Sequence, residues 1–405
     1  MKYIEGGVCA AKGFRASGVH VGVKTSNLMK KDLALIVADC ECTAAAVYTR
    51  NVVKAAPLIV TQEHLKNGRA RAVVVNSGNA NACAPQGEEN ALRMCSAVAS
   101  AIGLSSGDVI VASTGVIGQK LPVEVIENGA MNLVSKLSYS GSLDAATAIM
   151  TTDLAVKESA VEIEIGGNVV RIGGIAKGSG MIHPNMGTML AFITTDCAIS
   201  AAMIKKALTD AANVSFNRVS VDGDTSTSDM LSLLANGMAG NDEIDGPGAD
   251  YEVFSQALNA LCIELAIMMA ADGEGATHLI TCRVRGAKSE PEAETLSKSV
   301  ISSTLTKAAI FGADANWGRV MCAMGYSGVC FDPEGVSIAF ESNSGRLDVC
   351  ENGRGIPFDE GLAKRILAEH DVTIDIDMDA GTAECVCWGC DITYDYIRIN
   401  GDYRT

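Results

Sequence analysis

The stretch Lys177-Gly178-Ser179-Gly180-Met181-Ile182-His183-Pro184-Asn185-Met186-Gly187-Thr188-Met189-Leu190, running on into Ala191-Phe192-Ile193, sets the reading of the whole chain. Three glycines and Pro184 fall within the eleven residues before Thr188. A loop of that composition can hold a strained peptide bond, and it delivers a hydroxyl residue to the first position of an apolar strand. The plainest explanation is a threonine that opens a core strand for its β-propensity. The sharper one is scission of the Gly187–Thr188 bond. Attack of Thr188 Oγ on the Gly187 carbonyl gives an ester, and water then frees a new amino terminus. Thr188 would thereby carry its own base, an amine of ordinary pKa about 7.7–8.0, beside a weak hydroxyl nucleophile.

Around that stretch lies an ordinary globular chain. At 405 residues it can bury one large or two medium cores. Apolar residues make up 48% and charged residues 20%, outside the range of disordered chains. The net charge of −16 with no basic patch argues against nucleic acid as a partner. The start, Met1-Lys2-Tyr3-Ile4-Glu5-Gly6-Gly7, lacks the apolar centre of a signal peptide. Leu261–Ala271 is too short to cross a membrane and is interrupted by Glu264. A cytoplasmic protein without membrane partners is expected, its fourteen cysteines reduced. The densest of them, in Cys385-Val386-Cys387-Trp388-Gly389-Cys390, alternate as in a buried strand and lack a second Cys-x-x-Cys, so no metal is expected.

Strand-like runs at 72–76 and 109–112 flank a helical pattern over 86–102. Val161–Ile165 alternates, turns at Gly166-Gly167-Asn168 and returns through Val169–Ile172 as a hairpin. Ser200 caps a helix over 201–212, and further helices are expected over 251–271, 292–309 and 360–370. Strands are expected over 279–284, 372–378 and 383–390, followed by a polar tail, 400–405. Mixed sheets layered with helices, an α/β (α+β) arrangement, fit this order better than a Rossmann fold or a barrel.

Four further groups carry potential chemistry. Ser113-Thr114-Gly115-Val116-Ile117-Gly118 follows a strand, where a hydroxyl and a backbone N–H could cradle an oxyanion, or merely turn the chain. Lys177 is either solvated or an anchor for a substrate carboxylate. Glu274, between Gly273 and Gly275, is a turn acid or a group aimed at an amine. Asp222-Gly223-Asp224-Thr225-Ser226-Thr227 lacks the later ligands of a calcium loop and reads as a polar loop. The amide-rich 75–83 is either turn chemistry or pocket lining.

In that order these segments, with 7–24, Met150-Thr151-Thr152-Asp153, Gly273–Thr277, Asn316-Trp317-Gly318-Arg319 and Asn400–Thr405, resemble the ornithine acetyltransferase (glutamate N-acetyltransferase) family of arginine biosynthesis, over essentially the whole chain. The resemblance implies a self-cleaving precursor, with residues 1–187 as α chain and 188–405 as β chain, two copies of each forming a heterotetramer. It implies a layered αββα sandwich like that of N-terminal-nucleophile aminopeptidases. Thr188 becomes the nucleophile, and Thr114 with Gly115 the oxyanion hole. Thr151 or Thr152, Lys177, Glu274, Asn400 and Thr405 become substrate-binding. The implied reaction moves acetyl from N-acetylornithine to glutamate without a cofactor, with acetyl-CoA left open as a second donor. The alternative is an amidase or aminopeptidase that passes the acyl group to water. Two positions depart from the family pattern: Gly187 stands where alanine is usual, and His278 where lysine is expected.

Overall fold

The computed structural model describes residues 1–24, 30–183 and 189–402. Gly187, Thr188 and Thr405 lie outside them. Sixteen strands among the described residues form two mixed sheets. In chain order they are β1 (Lys2–Ile4), β2 (Phe14–Val19), β3 (Leu33–Tyr48), β4 (Arg69–Asn79), β5 (Val109–Val116), β6 (Lys157–Ile165), β7 (Asn168–Lys177), β8 (Leu190–Thr195), β9 (Val219–Ser220), β10 (Met230–Ala235), β11 (Leu279–Ala287), β12 (Ser337–Ser342), β13 (Gly345–Glu351), β14 (Arg354–Gly355), β15 (Asp371–Asp377) and β16 (Ala383–Cys390). The first sheet runs β1-β6-β7-β8-β10-β3-β4-β5, with β2 also on β3; the second runs β14-β13-β12-β15-β11-β16-β9.

The long β3 makes the first sheet a sandwich. Its register on β4 slips between Val37 and Cys42, a bulge that bends a strand. One face of β3 stays with one core: Ala34, Ile36, Ala38 and Cys42 pack with Val73, Val75 and Ile110 from one half, and with Ile175, Leu190 and Phe192 from the other. The opposite face divides. Leu33, Leu35 and Val37 meet the helices Gly87–Ile102 and Val123–Ser135 through Met94, Val98, Ile126 and Leu133. Ala45 and Val47 share a cluster with Leu208 and Leu265 of the helices Ala201–Val214 and Ala249–Ala271. Helices thus cover both outer faces of a folded sheet, the expected αββα layering. The second sheet carries its own core under the helices 290–302 and 360–367.

Local chemistry explains the elements. The β6–β7 hairpin closes with Ile165 opposite Asn168, leaving Gly166 and Gly167 at φ 56° and 78°. Two left-handed residues in a two-residue loop match the right-handed twist of the strands. The Ser200 hydroxyl caps the next helix by accepting from Met203 N–H. The helix Ala249–Ala271 is longer than its apolar run predicts, and by length and composition could cross a membrane. Phe254, Leu258, Leu261, Leu265 and Met269 are instead buried in the core, and Glu264 accepts from Ser159 Oγ at 2.5 Å.

Three segments differ from the sequence expectation. The helix expected over 292–309 is two, Glu290–Ser302 and Thr304–Phe311, because Ser303 is extended and its hydroxyl caps the second by accepting from Thr306 N–H. The helix expected to reach residue 370 ends at Leu367. The first residues of the segment read as a polar tail, 400–402, belong to the helix Tyr394–Asp402. The cysteine-rich 383–390 is the strand β16, with Cys387 opposite Cys282.

Candidate active site

The segment that opens the sequence reading begins as the end of β7. Lys177 is the last residue of that strand and lies opposite Leu190 of β8; Met230 of β10 flanks Leu190 on its other side. The strand therefore starts at Leu190, two residues after the position expected. Past β7 the chain is held by carboxylates. Asp153 accepts from Gly178 N–H at 2.7 Å and Thr151 N–H at 3.0 Å. Asp222 accepts from Met181 N–H at 2.5 Å and Ile182 N–H at 2.9 Å. The loop expected to be merely polar thus clamps the other, and Thr225 Oγ1 donates to His183 O at 2.7 Å.

A cleft with about 730 Å³ of empty space opens at the start of β8. Seven residues expected in the site line it: Thr114, Gly115, Thr151, Thr152, Lys177, Glu274 and Asn400. Both threonines of the 151–152 pair reach the cleft. They arrive from distant elements of the fold, and specific contacts hold them. Lys177 Nζ donates to Thr114 Oγ1 at 3.3 Å. Since an ammonium only donates, the Thr114 oxygen is the acceptor and its own proton is left for another partner. Gly115, at φ 130°, lies opposite Gly78 of β4. A Cβ at 115 would fall 2.3 Å from the Gly78 carbonyl carbon, so only glycine fits. Asn400 Nδ2 donates to Glu274 Oε2 at 2.7 Å, and Glu274 N–H donates to Ser179 O at 2.9 Å. The C-terminal helix is thereby tied to the loop after β7.

Buried charge surrounds the cleft. Burial opposes ionisation of Asp153, but Lys177, Lys157 and its hydrogen bonds hold the carboxyl well below the usual range. Lys157 bridges Asp153 at 2.8 Å and Asp272 at 2.5 Å. Lys24 Nζ donates to Met150 O at 2.7 Å, beside the threonine pair, and burial is the main cause that lowers its pKa to about 8. Asp229, 3% exposed, also lines the cleft, and burial pushes its carboxyl well above the ordinary value. Asp153, Lys24 and Asp229 had no role in the sequence reading. The one signal for Asp229 was an acid directly before the apolar run Met230-Leu231. Among the described residues no group of three or more His, Cys, Asp or Glu side chains is arranged to hold a metal ion.

Comparison with known proteins gives a consistent result. A sequence model described as the ArgJ family matches residues 15–405. An arginine biosynthesis bifunctional protein ArgJ from Symbiobacterium thermophilum is 49% identical over 406 residues, all of both chains. One from Caldanaerobacter subterraneus subsp. tengcongensis is 47% identical, again over all of both. Among solved structures, an ornithine acetyltransferase complexed with ornithine from Mycobacterium tuberculosis is 41% identical, covering 45% of this chain and 98% of that one, with a TM-score of 0.43.

Proposed function

Because this chain belongs to the ArgJ family, we propose that it is an arginine-biosynthesis acetyltransferase that moves the acetyl group of N2-acetyl-L-ornithine to L-glutamate through an acetyl-Thr188 ester. The precursor cuts itself between Gly187 and Thr188 into α (1–187) and β (188–405) chains, two of each assembling together. The freed amine takes the Thr188 Oγ proton as Oγ attacks the acetamide carbonyl. Thr114 O–H and Gly115 N–H hold the oxyanion. Collapse passes the proton to the departing α-amine of ornithine and leaves the acetyl ester. The α-amine of glutamate then attacks the same carbonyl, and N-acetylglutamate departs. Lys177 and Glu274 supply opposite charges to bind an amino acid, with Thr151, Thr152, Asn400 and Thr405 completing its contacts. No step calls on a metal or organic cofactor. Acetyl-CoA is a second donor, in keeping with the bifunctional name its relatives bear. Fourteen free cysteines suit the reducing cytoplasm.

One observation carries this reading. Residues separated by up to 286 positions, from Thr114 to Asn400, line one cleft where the chain enters β8. Incubating the protein with N-acetylornithine and glutamate tests it. Ornithine and N-acetylglutamate in equal amounts, with parallel double-reciprocal plots, are the expected outcome. Release of acetate at a rate indifferent to glutamate would make it a hydrolase instead. Omitting N-acetylornithine and supplying acetyl-CoA tests the second donor, with N-acetylglutamate again expected.

A further inference from the structure

Beside the cleft two carboxylates share one buried lysine. Lys157 is 1% exposed, and its Nζ reaches Asp153 Oδ1 at 2.8 Å and Asp272 Oδ2 at 2.5 Å. Taking ions out of water is repaid only when their remaining lone pairs find donors. The donors here are backbone N–H groups of the segments that carry the cleft residues. Asp153 accepts from Thr151 N–H, and from the N–H of Gly178, the residue after Lys177. Asp272 accepts from Leu154 N–H at 3.1 Å and Ala155 N–H at 3.3 Å. Its carbonyl accepts from Ser179 Oγ at 2.6 Å, and Ser179 O accepts from Glu274 N–H at 2.9 Å.

Three arms of the cleft thus hang from one chain of ion pairs: the Lys177 ammonium, the hydroxyls of Thr151 and Thr152, and the Glu274 carboxylate. Among the described residues Lys177 Nζ meets the Thr114 hydroxyl and no carboxylate, which leaves its charge for a ligand. We infer that the Asp153–Lys157–Asp272 chain is a positioning device for substrate binding, with Asp153 as the positioning residue that joins Lys177 to the threonine pair. It sets the cationic, hydroxyl and anionic groups before an amino acid arrives, so that little ordering remains to oppose binding. None of its three members is among the residues lining the cleft. Their part is in affinity, and no proton or bond changes on them. This inference rests on the acetyl-transfer reading above.

A split between KM and kcat, with a double-mutant cycle, distinguishes this role from a merely structural one. Asp153→Asn in the full chain keeps the shape but turns one oxygen into a donor, so Thr151 and Gly178 can no longer both be satisfied. The expected protein folds and cuts itself, with KM for N-acetylornithine raised about ten- to a hundredfold. Thr114 and Gly115 stay in place on β5, so kcat should fall by less than about threefold. The Kd for ornithine, read by calorimetric titration, should rise in step with KM. In a Lys177→Met background the same substitution should raise that Kd distinctly less, because the group it places is already gone. Should Asp153→Asn not fold, Asp272→Asn loosens the other end of the chain, with the same split expected. Full additivity with Lys177→Met would overturn the inference. So would a folded variant with wild-type KM and Kd, or one whose loss lies in kcat alone. A folded variant that stays uncut would likewise overturn it, by placing the carboxylate's work in scission. A wild type that transfers no acetyl would refute the acetyl-transfer reading instead, and the ornithine Kd of wild type and variant still decides the part of Asp153.

Discussion

Lys177 Nζ and Thr114 Oγ1 meet at 3.3 Å, joining the ends of β7 and β5 across the folded sheet. The contact fixes the direction of a proton: the hydroxyl oxygen faces the ammonium, so its hydrogen is free to meet charge developing in the cleft. Thr114→Val keeps the shape and removes that donor. Loss of about 10²–10³ in kcat with KM little changed is expected, and Thr114→Ser should retain most activity. Steady-state kinetics on both variants check this.

Gly115→Ala tests the companion donor through sterics. The added Cβ would lie 2.3 Å from the Gly78 carbonyl carbon and 2.6 Å from Asn79 N, all backbone and unable to swing aside. The strands must part, at a cost on the order of 1–3 kcal/mol for the strained φ alone. A lower melting temperature together with kcat below that of the Thr114 variant is expected. Wild-type values for both would refute the steric account.

Asn400 meets Glu274 from a helix 126 residues further along the chain. Asn400→Ala leaves a carboxylate oxygen without that donor, and about a tenfold rise in KM for N-acetylornithine is expected, since hydrogen bonds to charged groups contribute about 1.5–3 kcal/mol. Deleting residues 400–405 should cost more and let acetate appear without glutamate, because water reaches the acyl ester. An intact transfer ratio in the truncated protein would count against a part for residues 400–405 in keeping water out.

His278, in the place where lysine is expected, pairs with Asp391 at 2.8 Å and shares it with Thr277. The Asp391 hydrogen bond raises the imidazole pKa. Burial opposes ionisation of Asp391, yet His278 and Thr277 hold its carboxyl below the usual value. The imidazolium's share of stability is full below about pH 6.5 and is lost as pH rises through the raised folded value. The carboxylate's share is present above about pH 4 and lost as pH falls through its depressed one. Melting temperature should therefore decline above neutrality in the wild type. His278→Lys, charged until near pH 10, should flatten that decline, and differential scanning calorimetry from pH 6 to 9 measures it.

Much of this was legible in local sequence, because local rules set it. Gly166-Gly167 announced the β6–β7 hairpin, and Ser200 announced its helix. The site residues came from motif order, which marked Thr114, Lys177, Glu274 and Asn400 without saying what each touches. Their contacts span 63 and 126 positions, and no periodicity encodes such a meeting. Ser303 misled because a serine within a helical pattern is either a solvated side chain or a cap, and the packing of 304–311 decides. Asp229 was marked only by its place before Met230-Leu231, for a similar reason: the groups around it, Ser226 apart, include Thr49, Lys177 and Met189, which come from distant parts of the chain. The helix Tyr394–Asp402 was not read because it has no buried residue to give it an apolar stripe.

Intact-mass measurement of freshly purified, active protein tests the central claim most directly. The account predicts two polypeptides of 187 and 218 residues, the parts of a 405-residue precursor, the second beginning with Thr188, while Thr188→Ala gives one inactive chain. A single unbroken chain that transfers acetyl at the full rate would contradict it.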